Sequence, residues 1–204
     1  SEGPGFSAGH DLDELRKNKN NKEFFKLLFN ECSKLMQTIM NLPQPVIAEV
    51  SGIAAAAGCQ LVASCDLAIA SEQSSFMTPG VNIGLFCSTP MVAVSRNISR
   101  KKIMEMLLTG EKLNSQDAVQ FGLINHSVPH EQLHNKTMDL AKLIASKPSS
   151  TVKIGKEAFY RQVEMPINEA YNYTSEVMTA NMMELDAQEG INAFLDKRHP
   201  NWNE

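Results

Sequence analysis

An α/β fold whose second half is almost wholly helical is predicted from three features of the sequence. The segment from Pro45 to Asp66, PVIAEVSGIAAAAGCQLVASCD, opens on a short apolar run (Val46, Ile47, Ala48, Val50), meets Gly52 and crosses a loop of alanines. It restarts at Gly58 with helical spacing through Leu61, Val62 and Cys65. A second buried-strand pattern follows in Asp66-Leu-Ala-Ile-Ala-Ser71, and a helix between two such strands implies a right-handed crossover in an α/β layer. Beyond Pro129 the apolar periodicity is helical almost throughout, over roughly 130–146, 149–162, 166–183 and 186–197.

The other elements follow in chain order. Gly5-Phe6-Ser7-Ala8-Gly9-His10 ends an apolar segment in a glycine-bearing turn, and Asp11 is placed to cap a short helix to Arg16. KNKNNKE is a solvated connection. From Lys22 to Leu42, Phe25, Leu28, Phe29, Cys32, Leu35, Met36 and Ile39 keep helical spacing until Pro43 stops the run, which predicts a long core helix. PGVNIGLFCS, from Pro79 to Ser88, is too rich in small residues for a core element and suits a loop lining a pocket. Met91–Val94 and Lys102–Leu108 read as helices, with Gly110 ending the second. Asn114-Ser-Gln-Asp117 offers a cap for a short helix to Phe121, and Leu123–Val128 is a short extended piece. The expected organisation is an α/β core over residues 1–128 and a helical region over 129–204, one family unit with no linker or repeat.

Composition narrows the function. With 204 residues and 43% hydrophobic content the chain buries a real core. A net charge of −4 of mixed signs leaves no nucleic-acid footprint, and no apolar run reaches the roughly 18 residues of a membrane span. Cys32, Cys59, Cys65 and Cys87 lack metal-knuckle spacing and read as reduced, buried thiols.

Chemistry concentrates in the two glycine-bearing turns. Alanines at 54–57 allow a ligand to approach the backbone, and the N–H groups of the following helix turn suit an anion or a developing oxyanion. The same small residues equally serve to pack a helix tightly on a sheet. FSAGHDL, the central PVIAEVSGIAAAAGCQLVASCDLAIAS, then SSFMTPGVNIGLF and LTGEKLNSQDAVQFGLINHSVP together resemble the crotonase superfamily, the enoyl-CoA hydratases and isomerases, over essentially the whole chain.

That resemblance implies a crotonase-type spiral ββα core with a helical C-terminal trimerisation region, giving a homotrimer or a hexamer. It implies an acyl-CoA ligand, with coenzyme A entering as part of the ligand and no separate cofactor or metal, and a role in fatty-acid metabolism in the mitochondrial matrix. Family members carry further strands before the first motif, so the chain, which opens SEGPGFSAG without methionine or transit-peptide pattern, is expected to start mid-domain.

Carried over by position, the backbone N–H groups of His10 and Ala57 form the oxyanion hole that polarises the thioester carbonyl, and losing one such donor costs about 10²–10³ in rate. The His10 side chain stays a separate question. Ala8, Asp11, Leu12 and Gly58 fall on the ligand side, and Pro4 stands where relatives often carry a basic residue for the CoA phosphates. Phe194 and Lys197, in the closing motif, would help complete a neighbouring subunit's pocket; an ordinary amphipathic helix with a basic last turn is the other reading. The family's two acid/base glutamates are absent, with Gln60 and Gly80 in their places. Glutamine cannot accept a proton near neutral pH and glycine offers no side chain, so weak or no hydratase activity is expected.

Two further readings remain open. One is an active lyase or isomerase using other residues. The other is a Cys59-dependent acyl transferase or thioesterase, its thiol activated by the helix N-terminus, although no local histidine declares itself as base. His130-Glu-Gln-Leu-His134 formally matches HExxH, but it opens a surface helix whose core stripe is Leu133, Leu140 and Ile144, with no third zinc ligand evident.

Overall fold

The computed structural model describes residue 3 and residues 5–202, so the Pro4 position lies outside the described residues. By internal contacts the chain forms two compact units. One comprises the described residues up to Met40 with Val46–Met138, and the other Asn41–Pro45 with the chain from Asp139.

The first unit contains β1 (Gly5–Ser7), α1 (Leu12–Lys17), most of α2 (Lys22–Asn41), β2 (Ile47–Val50), β3 (Ile53–Ala55), α3 (Ala57–Ser64), β4 (Leu67–Ser71) and β5 (Ser75–Met77). There follow a 3₁₀ turn (Pro79–Ile83), α4 (Pro90–Val94), α5 (Arg100–Thr109), β6 (Leu113–Asn114), α6 (Ser115–Phe121) and β7 (His126–Val128). Two sheets result, β1-β3-β5-β6 and β2-β4-β7, with every pairing parallel except β5 with β6.

The alanine loop expected from the sequence is shorter than its composition suggests. Ile53–Ala55 pair as a strand between β1 and β5, and only Ala56 remains to turn the chain into α3. Small residues lower strand propensity, yet two flanking ladders impose the extended state. The β2-to-β4 connection is correspondingly no simple crossover, because it passes through β3 in the other sheet before α3. Each sheet-to-sheet passage is a sharp bend, and the bends at Gly52 and Ser74 are cross-linked. Gly52 N–H donates to Ser74 Oγ at 3.1 Å, that hydroxyl donates to the Val50 carbonyl at 2.9 Å, and Ser75 N–H donates to the Gly52 carbonyl at 3.2 Å. Further up, the Asp66 carboxylate accepts the Val46 N–H at 2.6 Å and so ties the starts of β2 and β4 together.

The core of this unit is one buried cluster of mostly small and medium side chains that includes Phe76, Val50, Ala54, Val62, Ala70, Val94 and Leu113. Of the α2 residues expected inside, Met36 and Ile39 are buried, whereas Leu35 is 52% and Phe29 38% exposed. A 3.6-residue stripe predicts which residues share a face but not how far along the helix its neighbours reach. Asn114 caps α6 by accepting the Asp117 N–H at 2.8 Å, as its spacing predicts.

α7 (Leu133–Ala145) follows a 3₁₀ turn over His130–Gln132. The second unit holds α8 (Ser149–Gln162), α9 (Ile167–Met182) and α10 (Leu185–Leu195), in which α8 packs on α9 and α10 contacts both.

Candidate functional site

Three parallel strands, β1, β3 and β5, end side by side, so the residues that follow them gather at one edge of the sheet. The crevice beyond the C-terminal ends of parallel strands is where α/β sheets offer loops and helix N-termini to ligands. Here it is a cavity of about 480 Å³, to which β1 contributes Ala8 and His10, β3 contributes Ala56 and Ala57, and β5 contributes Pro79 and Gly80. The remaining wall is mostly apolar: Leu12 and Leu15 of α1, Phe29 of α2, and Ile83, Leu85, Phe86 and Cys87 of the loop after Pro79.

The two glycine-bearing turns are in contact. A Cβ on Gly9 would lie 3.1 Å from the Ala57 nitrogen, and one on Gly58 would overlap the Ser7 carbonyl and stand 2.7 Å from Ser7 Cβ. Only glycine allows α3 to start this close to the end of β1. Between them Ala56 holds φ +50° and ψ −117°, a conformation that costs an L-residue about 1–3 kcal/mol and persists only where its surroundings impose it. They do so from both sides, because Ala56 N–H donates to the Met77 carbonyl and Ala56 C=O accepts the Gln60 N–H, both at 3.0 Å. The consequence is that Ala57 is the first residue of α3, where its N–H has no carbonyl within the helix to bond.

His10 is also one of the residues lining the cavity. Its ring meets Phe29 edge-on, centroids 5.5 Å apart and planes at 75°, and Nε2 is buried without a hydrogen-bond partner. Phe29 read as core in the sequence; nothing in a helical stripe distinguishes a residue facing a cavity from one facing a sheet.

The other candidate residues separate. Asp11 is absent from the cavity lining and caps α1, its carboxylate accepting the N–H groups of Asp13 at 2.8 Å and Glu14 at 3.4 Å. Gly58 is buried beneath β1. Gln60 is 4% exposed and does not line the cavity; Cys32 Sγ lies 4.0 Å from its Oε1. Gly80 does line it, inside a loop that closes on itself. Leu85 N–H donates to the Gly80 carbonyl at 2.9 Å, and Gly80 N–H donates to Cys87 Sγ at 3.4 Å. Phe194 and Lys197 belong to the second unit, where Phe194 is 84% exposed at the end of α10 and Lys197 takes φ +56°.

Cys59 requires a correction. The expected thiol activation at the start of α3 is overridden by burial: Cys59 has no exposed surface, and desolvation, reinforced by the neighbouring Cys87, pushes its pKa up to about 12 against one backbone hydrogen bond at Met77. Such a thiol is a packing group. The expectation that all four thiols are buried also fails for Cys32 and Cys65, which are half-buried, although none of the four forms a disulfide. The histidines of the HExxH match have separate partners, His134 Nδ1 lying 3.3 Å from Glu49 Oε2 and His130 Nδ1 3.5 Å from Ser51 Oγ. Among the described residues no three His, Cys, Asp or Glu side chains converge as metal ligands.

The sequence pattern of the enoyl-CoA hydratase/isomerase family matches residues 2–204. The chain belongs to this family. It is 51% identical over 203 residues to human enoyl-CoA hydratase domain-containing protein 3, mitochondrial, an alignment covering 100% of this chain and 67% of the human protein. The crystal structure of that human protein superposes with a TM-score of 0.95, covering 98% of this chain and 79% of the other. An enoyl-CoA hydratase from Mycobacterium smegmatis superposes at 0.96 with 48% identity, covering 98% and 78%. The architecture is therefore the family's crotonase fold with its helical C-terminal region.

Proposed function

We propose that this family member binds acyl-CoA thioesters with the carbonyl held between the N–H groups of His10 and Ala57, and that it hydrates enoyl-CoA poorly or not at all. The observation that carries the reading is the contact between the turns ending β1 and β3 beside an apolar cavity, which leaves two main-chain donors at one edge and room for an acyl chain. Ala8, Leu12 and Gly80 supply part of the wall; by the family resemblance alone, Gln60 and Gly80 take the sequence positions of the two acid/base glutamates, and neither carries a carboxylate. Coenzyme A enters as part of the ligand, with no separate cofactor.

General acid and base groups are each worth about 10²–10⁴-fold, so donors alone support slow chemistry at most. Binding or sequestering thioesters in fatty-acid metabolism fits such a protein. Self-association, as a trimer or a dimer of trimers, is supported by the exposed apolar side chains of the second unit, and Phe194 and Lys197 would then contribute to a neighbouring copy's ligand site. Placement in the mitochondrion is supported by the human relative's name, and the matrix is the compartment the family resemblance implies.

Calorimetry with a series of acyl-CoAs on a full-length protein, beside a crotonyl-CoA hydration assay, tests the reading. Saturable binding with turnover far below ordinary hydratases is expected. No binding at millimolar ligand, or ordinary turnover, overturns it.

A further inference from the structure

We propose that the imidazole of His10 is a catalytic acid/base group in this cavity, removing and returning the α-proton of a bound acyl thioester, an inference that rests on the acyl-CoA reading above. Among the described residues lining the cavity, His10 carries an imidazole and Cys87 a thiol; the others are apolar, amide, hydroxyl or glycine. Cys87 is 8% exposed, burial pushes its thiol up, and its sulfur already accepts the Gly80 N–H. It is a neutral loop fastener. His10 Nε2, by contrast, is buried with no hydrogen-bond partner, and Phe29 walls the ring edge-on. An unpaired buried polar atom keeps its full desolvation cost until a ligand supplies the missing partner, and such atoms mark sites of function.

The residue's own backbone sets the reach. A thioester oxygen held by the His10 N–H carries its α-carbon two bonds away, so the proposed donor and the proposed base belong to one residue and serve neighbouring atoms of the ligand. In the step, the Nε2 lone pair takes the α-proton. The C–H electron pair moves into the Cα–C bond while the carbonyl pair moves onto oxygen, and the enolate is held by the His10 and Ala57 N–H groups. The imidazolium then returns a proton to carbon, so thioester and enzyme are regenerated and nothing else is consumed. This chemistry needs one base and no activated water, which matches a cavity with no carboxylate among the described residues that line it.

The test is deuterium incorporation at C2 of hexanoyl-CoA in D₂O, followed by NMR at saturating ligand on full-length protein, with the bound fraction of each variant measured by calorimetry. Wild type is expected to exchange well above the protein-free rate. His10→Gln, which keeps the main-chain donor, is expected to lose about 10²–10⁴-fold of that rate, and added imidazole to restore exchange to His10→Ala. Wild type that binds the thioester without exchanging it, or His10→Gln exchanging at the wild-type rate, overturns the role of His10 and leaves the binding reading standing. Absence of any binding heat overturns both.

Discussion

A Cβ at position 80 would stand 2.8 Å from the Leu85 carbonyl oxygen and 2.9 Å from Cys87 Sγ, so any side chain there must displace backbone. Gly80→Ala is therefore expected to cost about 1–3 kcal/mol, seen as a lower urea midpoint at unchanged slope. The same geometry changes what the double replacement Gln60→Glu, Gly80→Glu should do. From sequence alone these positions are two missing carboxylates that a mutation replaces. In the folded loop, Gly80→Glu collides with Leu85, while Gln60→Glu buries a carboxyl away from the cavity, so hydration of crotonyl-CoA is expected to stay unrestored in a spectrophotometric assay. Cys59 gives a second prediction at this scale. With its pKa raised from the ordinary 9.0 to about 12, it should stay unlabelled by iodoacetamide at pH 8 in the folded protein while half-buried Cys32 and Cys65 react. A thiol held neutral by burial stabilises the fold fully below its unfolded pKa, and that contribution is lost as pH rises from about 9 through about 12.

α10 shows how an element is finished by residues beyond its end. Glu189, on this helix, accepts two hydrogen bonds from Arg198, at 2.7 and 2.9 Å, and the Asn201 N–H at 2.7 Å. Trp202 Nε1 donates to the Ser146 carbonyl at 3.0 Å, which fastens the segment after α10 back onto the end of α7. The Arg198 hydrogen bond, followed by that from Asn201, holds the Glu189 carboxyl down to about 2. A depressed carboxylate contributes its stabilisation above its ordinary value of 4.5 and loses it as pH falls towards 2, so this tether should loosen only in strong acid. Glu189→Gln is expected to raise amide hydrogen exchange over residues 198–202 at neutral pH while exchange in β2 and β4 stays protected; unchanged exchange would show that Trp202 alone holds the segment. The sequence predicts a basic last turn for this helix, but α10 ends at Leu195, and Lys197 and Arg198 lie past its end, with Arg198 folding back nine residues to Glu189.

On the second unit, Ile167, Tyr171, Met183, Leu185, Phe194 and Leu195 are each at least 67% exposed. Exposed apolar side chains in that number support the proposed self-association. Sedimentation equilibrium of a full-length protein is expected to show a trimer or a multiple of it, with Phe194→Asp combined with Leu185→Asp shifting the mass towards monomer. A wild-type monomer at all concentrations would contradict self-association. The apolar periodicity of this half predicts four helices and finds their positions within a few residues. It does not say which faces remain uncovered, because a 3.6-residue stripe looks the same whether a neighbouring helix or another chain is to bury it.

Local patterns therefore determined the parts of this protein whose cause is local. Asp11 and Asn114 declare helix starts because a short polar side chain bonds the first-turn N–H groups, and the pocket loop after Thr78 is legible because its small residues cannot build a core. The order of motifs likewise carried the family. What only the tertiary structure decided involves residues far apart in the chain. Ile53–Ala55 become a strand because β1 and β5 flank them, Cys59 is inert because core residues surround it, and Asp11 is occupied by its own helix rather than by a ligand. His10 and Phe29 meet in the wall of the cavity, and Gly80 is held by Leu85 and Cys87. Burial, ladder pairing and close approach are sums over neighbours that sequence spacing does not name, and they set which of the candidate groups remain free to act.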